Sequence, residues 1–338
     1  MQTTRLILIE GLSCSGKSTM AHYLSRQLTK QGIPHTWWYE ENKGHPLYSF
    51  HDPASMQQVI DTLATGDHDR VIAVVLELWQ QLVESLQASE NIAILDGSLF
   101  GHLTWTLFPF DIPLTEIQAY LTQVERLIRP LNPCLIYLYQ DDLATSFRRR
   151  CQRRNIKEED MIRAVTETVY GKRRNLQGFE GMLQYWTDYR YLIDAFFSSM
   201  EVAKLSLENS AGDWLKYQQQ VLQFLGLSLL PELSLSGENL DHFVGTYTFM
   251  DGDIRRYCAI WREQGYLFLD GVPSLWPNNR LIPLSQQVFA VDSFPVKVHF
   301  EDNACGNVSR MVMTGPEMLF CSVNYVFVRE QEQILSNG

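Results

Sequence analysis

Leu6-Ile7-Leu8-Ile9-Glu10-Gly11-Leu12-Ser13-Cys14-Ser15-Gly16-Lys17-Ser18-Thr19 decides how the chain is read. An apolar run breaks into a loop bounded by two glycines, and the loop closes on Lys-Ser at the start of a helix-forming stretch. Residues 11–18 satisfy the pattern G-x-x-x-x-G-K-S/T. Glycines at those places let the backbone curl until consecutive N–H groups point inward at phosphate oxygens. The following helix adds its positive end at the same spot. In that arrangement Lys17 bridges the β- and γ-phosphates of ATP, and the Ser18 hydroxyl is a ligand of Mg²⁺. Gly11, Ser13, Cys14, Ser15, Gly16, Lys17, Ser18 and Thr19 are the expected nucleotide contacts. Cys14 lies near a helix N-terminus, which favours the thiolate.

Outward from the loop, short apolar segments alternate with longer helical ones. Strands are expected at residues 6–10, 35–39, 91–96, 134–139 and 202–207. Helices are expected at 17–31, 54–64, 71–87, 115–128 and 144–154, with further helical segments to 200 and a last one ending near 225. That alternation predicts a parallel sheet covered by helices. From residue 240 the pattern changes to short alternating segments at 243–250, 255–262, 266–270, 288–291, 296–301, 308–314 and 322–329. Asp251-Gly252, Gln264-Gly265, Asp270-Gly271 and Cys305-Gly306 supply turns between strands. The expected organisation is an α/β domain over 1–228, a linker over 229–239 and a small all-β barrel or sandwich over 240–338.

The formal net charge of −11 opposes the wrapping of a nucleic-acid backbone but allows a small anion in a locally basic pocket. The six cysteines show no paired CxxC spacing, so they read as mostly buried thiols of a reducing compartment. The first apolar run is too short for a secretion signal, and no stretch approaches a membrane span. A cytoplasmic protein that engages neither nucleic acid nor membrane is expected, and a homodimer is allowed.

Ile92-Ala93-Ile94-Leu95-Asp96 is an apolar strand closing on an acid, so Asp96 is expected to hold the Mg²⁺ shell or orient an acceptor hydroxyl. Trp37-Trp38-Tyr39-Glu40-Glu41 places two carboxylates where a doubly wound sheet faces its ligand crevice. Glu40 or Glu41 is the expected proton acceptor; strand neighbours point to opposite sides, so one of them enters the site. His45 lies close by and reads as structural. Arg148, Arg149, Arg150, Arg153 and Arg154 share one helix, and Arg149 and Arg153 share a face of it. Guanidinium groups so placed can close over a triphosphate. Tyr170, Lys172, Arg173 and Arg174 form a second basic cluster.

These residues, in this order, resemble thymidylate kinase and the deoxynucleoside kinases over roughly residues 1–226. The resemblance implies a parallel five-stranded sheet of order 2-3-1-4-5 with a mobile helical lid. It implies that Lys17 and Ser18 bind ATP and Mg²⁺, that Asp96 is catalytic or metal-associated, and that Arg149 and Arg153 belong to the lid. One of Glu40 and Glu41 matches the base that deoxynucleoside kinases place after strand two. Those kinases follow the strand-three acid with arginine, whereas here Gly97-Ser98 follows Asp96. The C-terminal segment resembles the small lipocalin-like β domain appended to some hydrolases, through Phe243-Val244-Gly245-Thr246-Tyr247, Leu267-Phe268-Leu269, Leu281-Ile282-Pro283-Leu284, Phe289 and Val298-His299-Phe300. It implies a binding or assembly module with an apolar pocket. The expected activity is transfer of the γ-phosphoryl group of ATP to a hydroxyl or phosphate of a small molecule, a nucleoside-like metabolite or an antibiotic. The alternatives are a nucleotide-hydrolysing switch that controls the β domain and a non-catalytic ATP-binding scaffold.

Overall fold

The computed structural model describes residues 4–330; residues 1–3 and 331–338, the extremities of the two expected domains, lie outside them. The chain divides into two compact units, one ending at Leu230 and the other beginning at Pro231.

The first unit is built on β1 (Leu6–Gly11), β2 (His35–Trp38), β3 (Ile92–Asp96), β4 (Cys134–Tyr139) and β5 (Ala203–Glu208). They form one parallel sheet in the order β2-β3-β1-β4-β5, the order the resemblance implies. Every residue of β1 is buried, because it lies between two strands and under helices on both faces. Its register sets the site: Ile9 pairs with Asp96 and Gly11 with Leu138, so the β3 acid arrives beside the start of the loop.

The helices are α1 (Lys17–Lys30), α2 (Pro53–Ala64), α3 (His68–Gln87), α4 (Phe100–Leu103), α5 (Leu114–Ile128), α6 (Leu143–Arg154), α7 (Glu158–Thr166), α8 (Val169–Arg173), α9 (Gly178–Ser199) and α10 (Trp214–Leu225). α1 and α10 seal one core, where Met20, Leu24, Leu28, Val221 and Leu222 meet Ile7, Ile94 and Ile136. α3 and α5 pack together, and buried Trp79 donates its indole N–H to the Tyr120 hydroxyl at 3.2 Å. α6 starts where the Asp142 carboxylate accepts the Thr145 N–H at 2.9 Å and stops at Asn155, whose φ is 50°. None of the helices among the described residues is long and apolar enough to cross a membrane.

In the second unit a short helix, α11 (Gly237–Asp241), precedes β6 (Gly245–Asp251), β7 (Ile254–Glu263), β8 (Tyr266–Asp270), β9 (Asn279–Pro283), β10 (Val288–Val291), β11 (Lys297–Asp302), β12 (Val308–Thr314) and β13 (Tyr325–Arg329). They close into an antiparallel barrel of order β10-β11-β12-β13-β6-β7-β8-β9. Strand β9 has no counterpart among the expected segments: it is short, ends on Pro283 and has adjacent Leu281 and Ile282 both buried, so the period-two signal is lost. Alternate residues fill the interior, among them Tyr247, Phe249, Phe289, Phe300, Met311, Met313 and Phe327. The cysteines differ from expectation. None of the six is in a disulfide, but only Cys134 and Cys258 are buried; Cys14, Cys305 and Cys321 fall on loops, and Cys151 is half-buried on α6.

Trp79→Ala removes the largest buried side chain between α3 and α5. It is expected to lower the stability of the first unit by about 3–5 kcal/mol in urea unfolding. A change below about 1 kcal/mol would show that this helix pair is not part of its cooperative core.

Candidate functional site

Gly11 leaves β1 at a φ of 149°, and a side chain there would strike the Leu138 carbonyl at 2.1 Å. Gly16, at a φ of 92°, caps the start of α1. A Cβ at Gly16 would meet the Trp214 ring at 2.2 Å, and the Asn209 side-chain amide bonds the Ser15 carbonyl. Cys14 takes a φ of 65°, so the loop curls through one non-glycine left-handed residue as well. The result is a loop with no space for larger residues at its glycines. Its backbone is pinned by β4 on one side and by the β5–α10 connection on the other.

Lys17 follows, only 7% exposed, with Nζ donating to the Leu12 carbonyl at 3.2 Å. Ser18 is buried beside it, while Ser13, Cys14 and Thr19 are half-exposed. The Lys17 stem crosses the end of β3: a Cβ on Gly97 would lie 2.8 Å from Lys17 Cε and 3.3 Å from Glu40 Oε2. Gly97 also has a φ of 67°. A side chain at residue 97, such as the arginine of the kinases that the sequence resembles, therefore has no room here without moving Lys17 or Glu40.

Asp96 is wholly buried, and neither of its carboxylate oxygens is paired in hydrogen-bond geometry. Burial, reinforced by the charge of Glu40, raises its pKa, while Lys17 and the neighbouring Ser18 hydroxyl oppose the shift without cancelling it. Glu40 faces Lys17 and Asp96, whereas Glu41 faces Arg154; burial and then the Glu40 charge raise the pKa of Glu41. Both carboxylates lie in the turn beyond Trp38, the last residue of β2, so strand alternation does not sort them, and Glu40 also lies in the field of Arg150.

A third acid, Glu10, ends β1 out of solvent. Its carboxylate accepts the N–H groups of Leu99 at 2.7 Å, Phe100 at 3.0 Å and Gly101 at 3.2 Å, holding the first turn of α4. Burial outweighs these donors and the nearby Lys17, and its pKa is pushed up to about 7. The sequence gives one signal for this role: a charged residue inside an otherwise apolar central strand, where only a paired acid is tolerated.

Next to these acids stands an aromatic wall. His45 and Tyr48 stack at 4.2 Å, Tyr48 and Phe50 at 4.9 Å, and Trp105 meets Phe50 and His102 edge-on at 5.1 Å and 4.6 Å. The Leu47 N–H donates to His45 Nδ1, so Nε2 carries the ring hydrogen and donates it to Ser98 Oγ at 3.1 Å. Burial pulls the His45 pKa to about 3 and that of His102 to about 4, so both rings are neutral walls.

The arginines of α6 are sorted by its buried aromatic side chain. Phe147 is buried, and the residues three, four and seven further on, Arg150, Cys151 and Arg154, turn inward with it. Arg150 lies in the field of Cys14 and Glu40, and Arg154 in that of Glu41 and Tyr39. Arg149 and Arg153 sit on the exposed side, where an Arg149 N–H reaches the Ser210 carbonyl at 3.4 Å. Arg148 covers the Phe179 ring. The second basic cluster is partly paired: Arg173 and Arg174 share Asp111 at 2.9 Å and 2.8 Å, and the Tyr170 hydroxyl donates to Asp188.

The first unit has the sheet order and phosphate-loop geometry of the P-loop fold. No protein-family model matches the chain, and no curated protein matches it. Among solved structures 72 chains match. One is the YorR protein from Bacillus subtilis, a crystal structure in complex with phosphorylated GDP, at 13% identity and a TM-score of 0.36, covering 65% of this chain and 95% of that one. A likeness at that score carries no weight for function.

Gly97→Ala is expected to push Lys17 off its path and weaken binding of a non-hydrolysable ATP analogue at least about tenfold, a cost near 1.4 kcal/mol. Gly101→Ala, with open space around it, serves as the control and should change little. Equal effects of the two would rule out steric exclusion at Gly97. Stability carries a second signature. The folded pKa of Glu10, about 7, exceeds the ordinary glutamate value of 4.5, so its contribution is fully present below that lower value and is lost as pH rises through about 7. Urea titrations of the nucleotide-free chain should show that decline, and Glu10→Gln should flatten it.

Proposed function

We propose that the first unit is an ATP- and Mg²⁺-dependent phosphotransferase whose acceptor is a neutral or cationic hydroxyl compound, with nucleoside-like metabolites and natural-product antibiotics as first candidates. The observation that carries this reading is the charge balance around Lys17. One buried ammonium faces three acids, Glu10, Asp96 and Glu40, and the carboxylate oxygens of Asp96 are unpaired. Such a site favours a further cation and disfavours a second phosphate ester on the acceptor side.

The residues fit the nucleotide on the loop side too. The glycines at 11 and 16 leave backbone where side chains would clash, and the buried Ser15 hydroxyl is unpaired. Bound ATP·Mg²⁺ supplies the phosphoryl group and the cation that neutralises it in transfer. The loop amides cradle the phosphates, and Lys17 exchanges the Leu12 carbonyl for them. Ser18 and Asp96 hold the metal shell. Glu40 accepts the proton of the acceptor hydroxyl, with its carboxylate kept in place by Gly97 and Lys17. Arg150 and Arg154, which turn inward, stabilise charge on the transferred group, while Arg149 and Arg153 form the outer part of the same lid. His45, Tyr48, Phe50 and Trp105 offer an apolar face to a flat acceptor.

The test uses γ-labelled ATP and Mg²⁺ with two separate acceptor pools, one of hydroxyl compounds and one of phosphate monoesters. Label is expected in a product of the hydroxyl pool and to be lost with Lys17→Ala. Glu40→Gln should lower kcat at least about 100-fold, and Glu41→Gln less than about tenfold. Label confined to the monoester pool would contradict the acceptor class. Lys17-dependent release of free phosphate with either pool would put the nucleotide-hydrolysing switch ahead.

A further inference from the structure

Away from the phosphate loop, three side chains of different chemistry converge where the start of α3 meets the first turn of α5. They are His68, Asp69 and Glu116, whose nearest nitrogen and oxygen atoms all lie within 4.8 Å of one another. No other group of three such side chains converges in this way among the described residues. The imidazole is oriented from outside the cluster. His68 Nδ1 lies 3.0 Å from the Gly66 carbonyl, which can only accept, so Nδ1 carries the ring hydrogen. In the neutral ring, Nε2 then presents a lone pair. It presents it to Glu116 Oε2, with which it is in contact, and to Asp69 Oδ1 at 3.9 Å.

Three lone-pair donors directed at one point repel unless a positive charge lies between them. A proton on Nε2 would satisfy the Glu116 contact alone; a metal ion satisfies all three. The geometry points to a divalent transition-metal site, of the zinc type, formed by His68 Nε2, Glu116 and Asp69. One imidazole with two carboxylates suits zinc or cobalt better than magnesium, which prefers oxygen ligands and retained water. Fixing the second ring nitrogen on a backbone carbonyl is also how metal-bound histidines are usually held. Zinc–ligand bonds of about 2.0–2.2 Å set tetrahedral donors about 3.3–3.6 Å apart, so an ion would open the His68–Glu116 contact and draw Asp69 in. The Asp69 side chain is 93% exposed and that of Glu116 42% exposed, so both are free to make that adjustment. Two carboxylates offset the ion's charge at two helix starts, where a cation would otherwise be disfavoured. The site joins α3 to α5 and is independent of the proposed phosphotransfer.

The test takes the full-length chain, stripped with a chelator and free of nucleotide, and titrates it with Co²⁺ and then Zn²⁺ at neutral pH. A Ser18→Ala, Asp96→Asn background removes the other candidate metal ligands. One equivalent of Co²⁺ should give visible absorption of a low-coordinate centre and be displaced by Zn²⁺. His68→Ala and Glu116→Gln should each weaken binding at least about 100-fold, and Asp69→Asn should do so by a smaller factor. Zn²⁺ should raise the Tm of the parent and not of Glu116→Gln. Binding unchanged in both His68→Ala and Glu116→Gln would overturn the assignment. So would the absence of stoichiometric binding together with a Tm that falls as pH rises past the ordinary histidine range and loses that dependence in Glu116→Gln. That outcome would mark an imidazolium–glutamate pair only.

Discussion

Burying an ammonium group is costly unless its charge is answered nearby, and Lys17 is buried with its stem laid across a glycine. What answers it is more than it needs. Glu40 and Asp96 lie on one side and Glu10 behind, and burial raises the pKa of both Asp96 and Glu10. Proton uptake by the buried acids offsets that surplus, which is what their raised pKa values express. In the proposed phosphotransferase a divalent ion would take the place of the proton on Asp96, and phosphate oxygens would draw Lys17 and Arg150 away from the acids.

The backbone makes that arrangement obligatory. Pairing of Ile9 with Asp96 and Gly11 with Leu138 carries the acid and the loop to one end of the sheet. The three N–H groups on Glu10 then fix where α4 begins, and with it the aromatic wall of His102 and Trp105. Left-handed Gly97 lets Lys17 and Glu40 approach each other closely. The space that a side chain at residue 97 would take is filled here by Lys17 and Glu40.

How much of this the sequence shows depends on the range of the interaction. The loop at residues 11–18 and the acid closing β3 are local patterns with a local cause, and the sheet order accompanies them. The choice between Glu40 and Glu41 stays open in the sequence, because both lie in the turn beyond β2, where strand alternation does not sort them. In the helix holding five arginines the sequence reading singles out Arg149 and Arg153, whereas buried Phe147 puts Arg150 and Arg154 on the inward face. The position of Phe147 is written in the sequence, and the 150–154 pair is legible from it. Glu10 hides inside an apolar strand, since its partners lie some ninety residues away. In the barrel, Leu281-Ile282-Pro283 carries two consecutive buried residues and a terminal proline, so alternation does not mark β9, whereas the equally irregular β10 is legible from its Val-Phe-Ala-Val run.

The most direct measurement is a crystal structure of the chain with Mg²⁺ and a non-hydrolysable ATP analogue. In it Lys17 Nζ should leave the Leu12 carbonyl for the β- and γ-phosphates, Ser18 and Asp96 should approach the metal, and Glu40 should face the open side of the γ-phosphate. A nucleotide bound elsewhere, or one bound with Lys17 still on Leu12 and Glu40 turned from the γ-phosphate, would contradict the phosphotransfer site built around Lys17.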